Sequence, residues 1–264
     1  MNLTSPKVCI DTHFHVFIAG DGRAHARYVP QYTASLADWM AQAGAAGVTK
    51  GVLVQPSFLG HDNSLMLRAL RAHPDALRGV AVVAADADLR QLQPLHASGV
   101  RGIRLNLSGL DHHIEAWSRA QVLWDAMFEL GWHLEVHTDR GGLPTVLAQL
   151  PSQMPLVIDH MGKPERADAR DPSIAALVQR ARHTPTHVKL SGAYRLGGLD
   201  PSLLAPIWLH ELGVANLLWG SDWPCTNHET LANYPQLRAS LAEWISLEHL
   251  APDRKSTRLN SSHT

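Results

Sequence analysis

At 264 residues, with 45% hydrophobic and 18% charged positions, the chain suits one large α/β domain with a sizeable core. A formal net charge of −1 gives no bulk electrostatic case for nucleic acid or an anionic membrane as partner. Two cysteines without a CxxC spacing, no apolar leader ahead of the first strand and no run of transmembrane length predict a cytoplasmic protein.

Eight short apolar runs punctuate the chain, at 8–11, 51–55, 79–84, 102–106, 133–137, 156–160, 187–191 and 217–222. Helical patterns separate them. One opens at Thr33 or Ser35 and runs to Gly44 or Gly47; the next starts at Asp62-Asn63, with Leu65, Leu67, Leu70 and Leu77 as its apolar face. Asp88 to Ala97 is shorter. Residues 118–130 read as a strong helix striped by Val122, Leu123, Met127 and Leu130 and stopped by Gly131. Helices over 143–150, 174–181, 201–212 and 231–247 complete the series. Strict alternation repeated eight times predicts a parallel sheet closed into a (β/α)8 TIM barrel. A doubly wound open sheet is disfavoured because no glycine-rich phosphate loop follows the first run.

The barrel demands catalytic groups at the C-terminal ends of several strands, pointing inward. Reading each run with period two supplies them. The first ends in His13 and His15, two imidazoles on one side, and the second in Gln55 and Ser57. The fourth offers Arg104 and Asn106, with Ile103 and Leu105 on the opposite face; the fifth offers His137, with Trp132, Leu134 and Val136 opposite. The sixth ends in His160, the seventh carries Lys189 and Ser191, and the eighth ends in Asp222 after Gly220. A core without function would not gather four histidines and an aspartate there, since a buried polar group left unpaired costs roughly 1–3 kcal/mol.

Asp11-Thr12-His13-Phe14-His15, Asp159-His160-Met161-Gly162-Lys163-Pro164, Lys189-Leu190-Ser191-Gly192 and Trp219-Gly220-Ser221-Asp222-Trp223-Pro224 together resemble the amidohydrolase superfamily. Within it they resemble the branch of 2-pyrone-4,6-dicarboxylate lactonases and related sugar-lactone and muconolactone hydrolases. The resemblance implies a barrel with hydrolytic chemistry at its mouth. In metal-dependent members, the matching positions are His13, His15, His137, His160 and Asp222, which implies one divalent ion, zinc foremost, if an ion is bound. A two-metal centre is disfavoured because the fourth strand offers Arg104 and Asn106, and arginine is a poor ligand. The pyrone lactonases of this branch imply instead a site needing no cofactor, so the alternatives stay open.

The reaction expected is opening of a lactone ester, with Asp222 as general base and His13, His15 and His160 polarising the carbonyl. Arg104, Lys163 and Arg195 suit a substrate carboxylate, the first and last at positions that match by resemblance. Ser57 adds a hydrogen bond, and Tyr28 or Tyr32 closes the mouth from the long first loop. The dicarboxylate lactonases carry a second arginine shortly after the fourth strand, whereas here none follows Arg104 until Arg119; a mono-anionic lactone therefore stands beside the dicarboxylate. A metal-dependent decarboxylase of the same superfamily, a lactone isomerase or a non-catalytic barrel are the alternatives. Residues 1–252 are expected to form the single domain, shortened at its C-terminus. Residues 253–264 resemble a reading frame of a sequencing-adapter oligonucleotide and are expected to be a non-native tail.

Overall fold

The structure, a computed structural model, describes residues 9–23, 26–231 and 233–245. The expected tail lies outside the described residues. Eight strands run β1 (Ile10–Phe14), β2 (Lys50–Val54), β3 (Leu77–Ala81), β4 (Val100–Asn106), β5 (His133–His137), β6 (Leu156–Ile158), β7 (Thr186–Leu190) and β8 (Leu217–Trp219), each parallel to its neighbour in chain order. Phe14 bridges in parallel to Trp223, His15 N–H donates to the Trp223 carbonyl at 2.8 Å, and Asp222 N–H donates to the His13 carbonyl at 2.8 Å. These contacts bring the end of β1 against the segment after β8 and close the (β/α)8 barrel.

Nine helices among the described residues lie between and after the strands: α1 (Leu36–Ala45), α2 (Ser64–Ala72), α3 (Leu89–Ala97), α4 (Glu115–Ser118), α5 (Gln121–Glu129), α6 (Leu143–Leu147), α7 (Pro172–Ala181), α8 (Pro201–Leu212) and α9 (Tyr234–Trp244). Their starts are chemically marked. Ser35, Asp88 and Asn233 form reciprocal capping boxes with Asp38, Gln91 and Gln236, and Asp171 and Asp200 cap helices that begin with proline.

Two expectations about helix faces need correction. On α2 the buried residues are Met66, Ala69 and Leu70, while Leu65 and Leu67 are only partly covered and Leu77 belongs to β3. On α5 the buried stripe is Leu123, Trp124, Ala126 and Met127, and Val122 is 60% exposed. Trp124 takes the buried face, and Val122 lies on the solvent side. The 118–130 pattern forms α5 alone, from Gln121 to Glu129, and α4 is a separate short turn ahead of it.

Strands β6 and β8 stop earlier than their apolar runs suggested. After β6 the backbone of His160, Met161 and Lys163 adopts positive φ, and after β8 so does that of Asp222. Both departures occur at the barrel mouth, where they re-aim side chains that an extended strand would send elsewhere.

Candidate active site

Asp11 holds the mouth together from below. Its buried carboxylate accepts from His13 N–H (3.1 Å), Ser221 N–H (2.9 Å), Ser221 Oγ (2.6 Å), Trp39 Nε1 (3.1 Å) and Tyr234 Oη (2.9 Å). It thereby ties β1 to the segment after β8 and to helices α1 and α9. Gly220 permits the close approach: a Cβ there would lie 2.6 Å from that of His13.

Above this anchor, His13 and His15 turn inward from β1. Their Nε2 atoms lie 3.3 Å apart, and Asp222 Oδ1 lies 3.6 Å from the first and 3.4 Å from the second. His15 Nδ1 donates to the Val54 carbonyl at 2.7 Å, because a carbonyl can only accept. Asp222 Oδ2 accepts from Arg195 Nε at 2.6 Å and from Tyr194 Oη at 2.8 Å. Burial pushes the Asp222 carboxyl up, but its neighbours, the Arg195 guanidinium foremost, outweigh it and hold the group well below the usual carboxylate range. It is ionised at neutral pH. His160 stands 3.9 Å from Asp222 Oδ2, with Nδ1 3.0 Å from Ser191 Oγ and Nε2 buried without a partner among the described residues. Burial brings this ring down to about 3, against the opposing pull of Asp222 and Asp159, so it is neutral.

A second layer of charge lies under the histidines. Asp159 accepts from Arg104 Nε (3.0 Å) and Nη2 (2.9 Å), and Lys189 donates to Glu135. Burial pushes Asp159 up, but the Arg104 and Lys189 cations help bring it well below its usual range. Burial and the neighbouring Asp159 push Glu135 up to about 8 against the pull of Lys189 and Arg104. Burial and the Lys189 ammonium hold His13 well below its ordinary value, so that ring too is neutral. His137 faces cations on both sides, Arg104 Nη2 at 3.4 Å from Nδ1 and Lys163 Nζ at 3.4 Å from Nε2. Burial, His160 and Arg104 keep it well below its usual value.

A cavity of about 220 Å³ opens over this floor. Of the residues expected from the sequence, His15, Ser57, Arg104, Asn106, His137, His160, Arg195 and Asp222 line it, as does Tyr28. His13 is wholly buried behind His15, and Lys163 is buried beside His137. Tyr32 is directed to Glu229, donating to its carboxylate at 2.8 Å beside Tyr28, which does the same at 2.8 Å. Arg195 is engaged with Asp222 and the Thr226 carbonyl, not standing free for a substrate with its whole guanidinium. The sequence reading missed Glu135, Tyr194, Arg23 and Arg27, the last two of which line the cavity from the first loop. Glu135 was within reach: in His133-Leu134-Glu135-Val136-His137 it shares the inward parity of His137.

The His13, His15 and Asp222 ligand atoms are spaced like the edges of a tetrahedron, which would be about 3.4 Å around a zinc ion at its usual ~2.1 Å bond lengths. The hydrogens do not suit an ion. A ligating nitrogen must offer a lone pair, whereas His13 meets the Lys189 ammonium at Nδ1 (2.9 Å) and His15 at Nε2, so both of its nitrogens serve hydrogen bonds within the protein. His137 is likewise turned to Arg104 and Lys163. With those hydrogen bonds in place, the site does not fit a divalent ion.

Residues 10–255 match the amidohydrolase model of the Amidohydro_2 family. The chain belongs to this amidohydrolase family. It is 29% identical over 267 residues to the 2-pyrone-4,6-dicarboxylate hydrolase of Comamonas testosteroni, covering 94% of this chain and 85% of that protein. It is 30% identical over 270 residues to the 4-sulfomuconolactone hydrolase of Rhizobium radiobacter, covering 92% and 87%. Among solved structures, a probable 2-pyrone-4,6-dicarboxylic acid hydrolase from Acinetobacter baumannii with citric acid bound superposes with a TM-score of 0.81 at 32% identity, covering 92% of this chain and 94% of that one. The branch read from the four motifs is thus the branch in which the amidohydrolase relatives fall.

Proposed function

We propose that the protein hydrolyses the ester bond of a small carboxylated lactone. The observation that carries the reading is an ionised, buried Asp222 at the foot of a cavity lined by Arg23, Arg27, Arg104 and Arg195. Asp222 Oδ1 takes a proton from water as the water oxygen attacks the lactone carbonyl. The ring C–O bond then breaks, and the proton returns to the leaving oxygen, giving a hydroxyl and a carboxylic acid that ionises by releasing its remaining proton to solvent. His160, which lines the cavity, is the donor for the carbonyl oxygen in this reading: with Ser191 donating to Nδ1, the single hydrogen of the neutral ring is on Nε2. Arg195 Nε and Tyr194 Oη, both donating to Oδ2, fix the Asp222 carboxylate in place. Arg104 and Arg195 each spend Nε and one terminal nitrogen on protein groups, and no hydrogen bond from a described residue occupies the other terminal nitrogen of either. Those nitrogens receive a substrate carboxylate, with Ser57 and Asn106 alongside.

The first loop supplies what the loop after β4 lacks. Arg27 reaches over Gly109, its Nη1 2.8 Å from where a Cβ of that residue would be. Two exposed arginines at the rim support a substrate with a second anionic group. The citrate bound to the Acinetobacter relative is a multiply charged anion of this kind.

A panel of mono- and dianionic lactones followed with a pH indicator tests the reading. Ring opening releases acid, and Asp222→Asn is expected to lower kcat by about 10³-fold, in the range general-base removal gives. Carbon dioxide release would instead identify a decarboxylase, and silence toward every lactone a non-catalytic barrel. The substrate is a small anion without nucleic acid, and the free thiols Cys9 and Cys225 accord with a cytoplasmic setting. No helix among the described residues is long and apolar enough to cross a membrane.

A further inference from the structure

Lys189, on β7, is used by no step of the reaction above, yet it is almost wholly buried directly beneath the histidine pair. Its Nζ lies 2.9 Å from His13 Nδ1, donates to Glu135 Oε2, and stands 3.4 Å from Asp159 Oδ1. An ammonium has three hydrogens and no lone pair, so a nitrogen bonded to it must accept. The rival partner is Asp159 Oδ1, 3.1 Å from the same ring nitrogen. That oxygen makes no hydrogen bond with any described residue, which places it off the axis of the nitrogen. The neutral His13 ring has one hydrogen. With Nδ1 accepting, that hydrogen is on Nε2 and points to His15 Nε2 at 3.3 Å, and His15 passes the direction on through Nδ1–H to the Val54 carbonyl. The chain of donors runs one way, from Lys189 to Val54.

We propose that Lys189 is a positioning residue that locks His13 in its Nε2-protonated tautomer and thereby denies the His13–His15–Asp222 trio to a metal ion. In the other tautomer, His13 Nδ1–H would donate to Asp159 and Nε2 would present a lone pair beside those of His15 and Asp222. Three lone pairs at the spacing described would then attract a divalent cation, which would occupy the Asp222 oxygen needed to take a proton from water. The lock leaves that oxygen free. The link to catalysis rests on the proposed role of Asp222; the tautomer stands without it.

The test is a long-range proton–nitrogen correlation spectrum of metal-stripped, ¹⁵N-histidine-labelled protein, with His13 assigned by comparison with His13→Gln. The wild type is expected to show a protonated Nε2 and a lone pair on Nδ1. In Lys189→Met the hydrogen is expected to move to Nδ1, and titration with Co²⁺ is expected to show binding at least tenfold tighter than in the wild type. A wild-type His13 protonated on Nδ1, or a Lys189→Met protein whose tautomer and Co²⁺ affinity match the wild type, would overturn the lock. The wild-type spectrum decides the point even where the variant does not fold. An expected spectrum from a protein inert toward lactones would overturn the proposed function and leave the lock in place.

Discussion

Two aspartates that flank the same strand junction have opposite duties, and their neighbours say which is which. Asp11 has both oxygens filled by five donors and no face on the cavity. Asp222 keeps Oδ2 in an ion pair and turns Oδ1 to the histidines at the cavity wall. Asp11→Asn replaces an acceptor with a donor opposite buried donors, and a loss of about 3 kcal/mol in urea unfolding is expected from such a mismatch. Asp222 should behave differently with pH. Because its folded value is held below the ordinary carboxylate range, it loses its charge only as pH falls beneath that range, and kcat/KM should stay level down to about pH 4 as far as this group governs it. Arg195→Met removes the largest charge holding it down. The acidic limb of the kcat/KM profile should then move to higher pH; an unmoved limb would mean that Asp222 is not the group seen in the profile.

The loops that carry these residues are tied to one another. Glu229, beyond β8, accepts from Tyr28 and Tyr32 of the first loop and from the Asn227 N–H, all through one carboxylate oxygen at 2.8 Å. The expectation that a tyrosine closes the mouth therefore meets a more particular arrangement, in which Tyr28 reaches the cavity and Tyr32 braces it from outside. Glu229→Ala should raise KM several-fold with a smaller change in kcat, since the loop bearing Arg23 and Arg27 loses its brace while Asp222 keeps its partners. After β7, Gly192 takes φ 58°, and a Cβ there would lie 2.5 Å from His160 Nδ1. Gly192→Ala should displace the His160 ring and break its contact with Ser191. A lowered kcat, with no rescue at high substrate, would report this.

Taken whole, the molecule combines a net charge of −1 with a cavity whose lining carries four arginines against one aspartate. A single-sign field focused in a low-dielectric cleft raises the local concentration of an anion and weakens with salt. KM for an anionic lactone should rise several-fold between low ionic strength and ~0.5 M salt, where the screening length is only a few ångströms, with kcat little altered. Arg27→Ala should raise KM more for a dianionic lactone than for a mono-anionic one; equal effects would remove Arg27 from substrate recognition.

The barrel and most of its site residues were legible because both are local patterns. Alternation of strand and helix is written in short contiguous runs, as are period-two parity and helix caps such as Ser35-Asp38 and Asp88-Gln91. Strand parity and the barrel rule placed His13 and His15 at one mouth; His160 and Asp222 were legible only as the residues ending their runs, and positive-φ turns after β6 and β8 bring them there. What each of them bonds to was not legible. Lys189 meets His13 across 176 residues and Glu135 across 54, and Tyr28 meets Glu229 across 201. Such partners are chosen by barrel closure and by positive-φ turns after β6 and β8, which no local period encodes. The sequence by itself therefore determined a (β/α)8 frame with a histidine–aspartate mouth. Only the tertiary structure decided which groups face each histidine nitrogen, because barrel closure brings those partners together from distant parts of the chain.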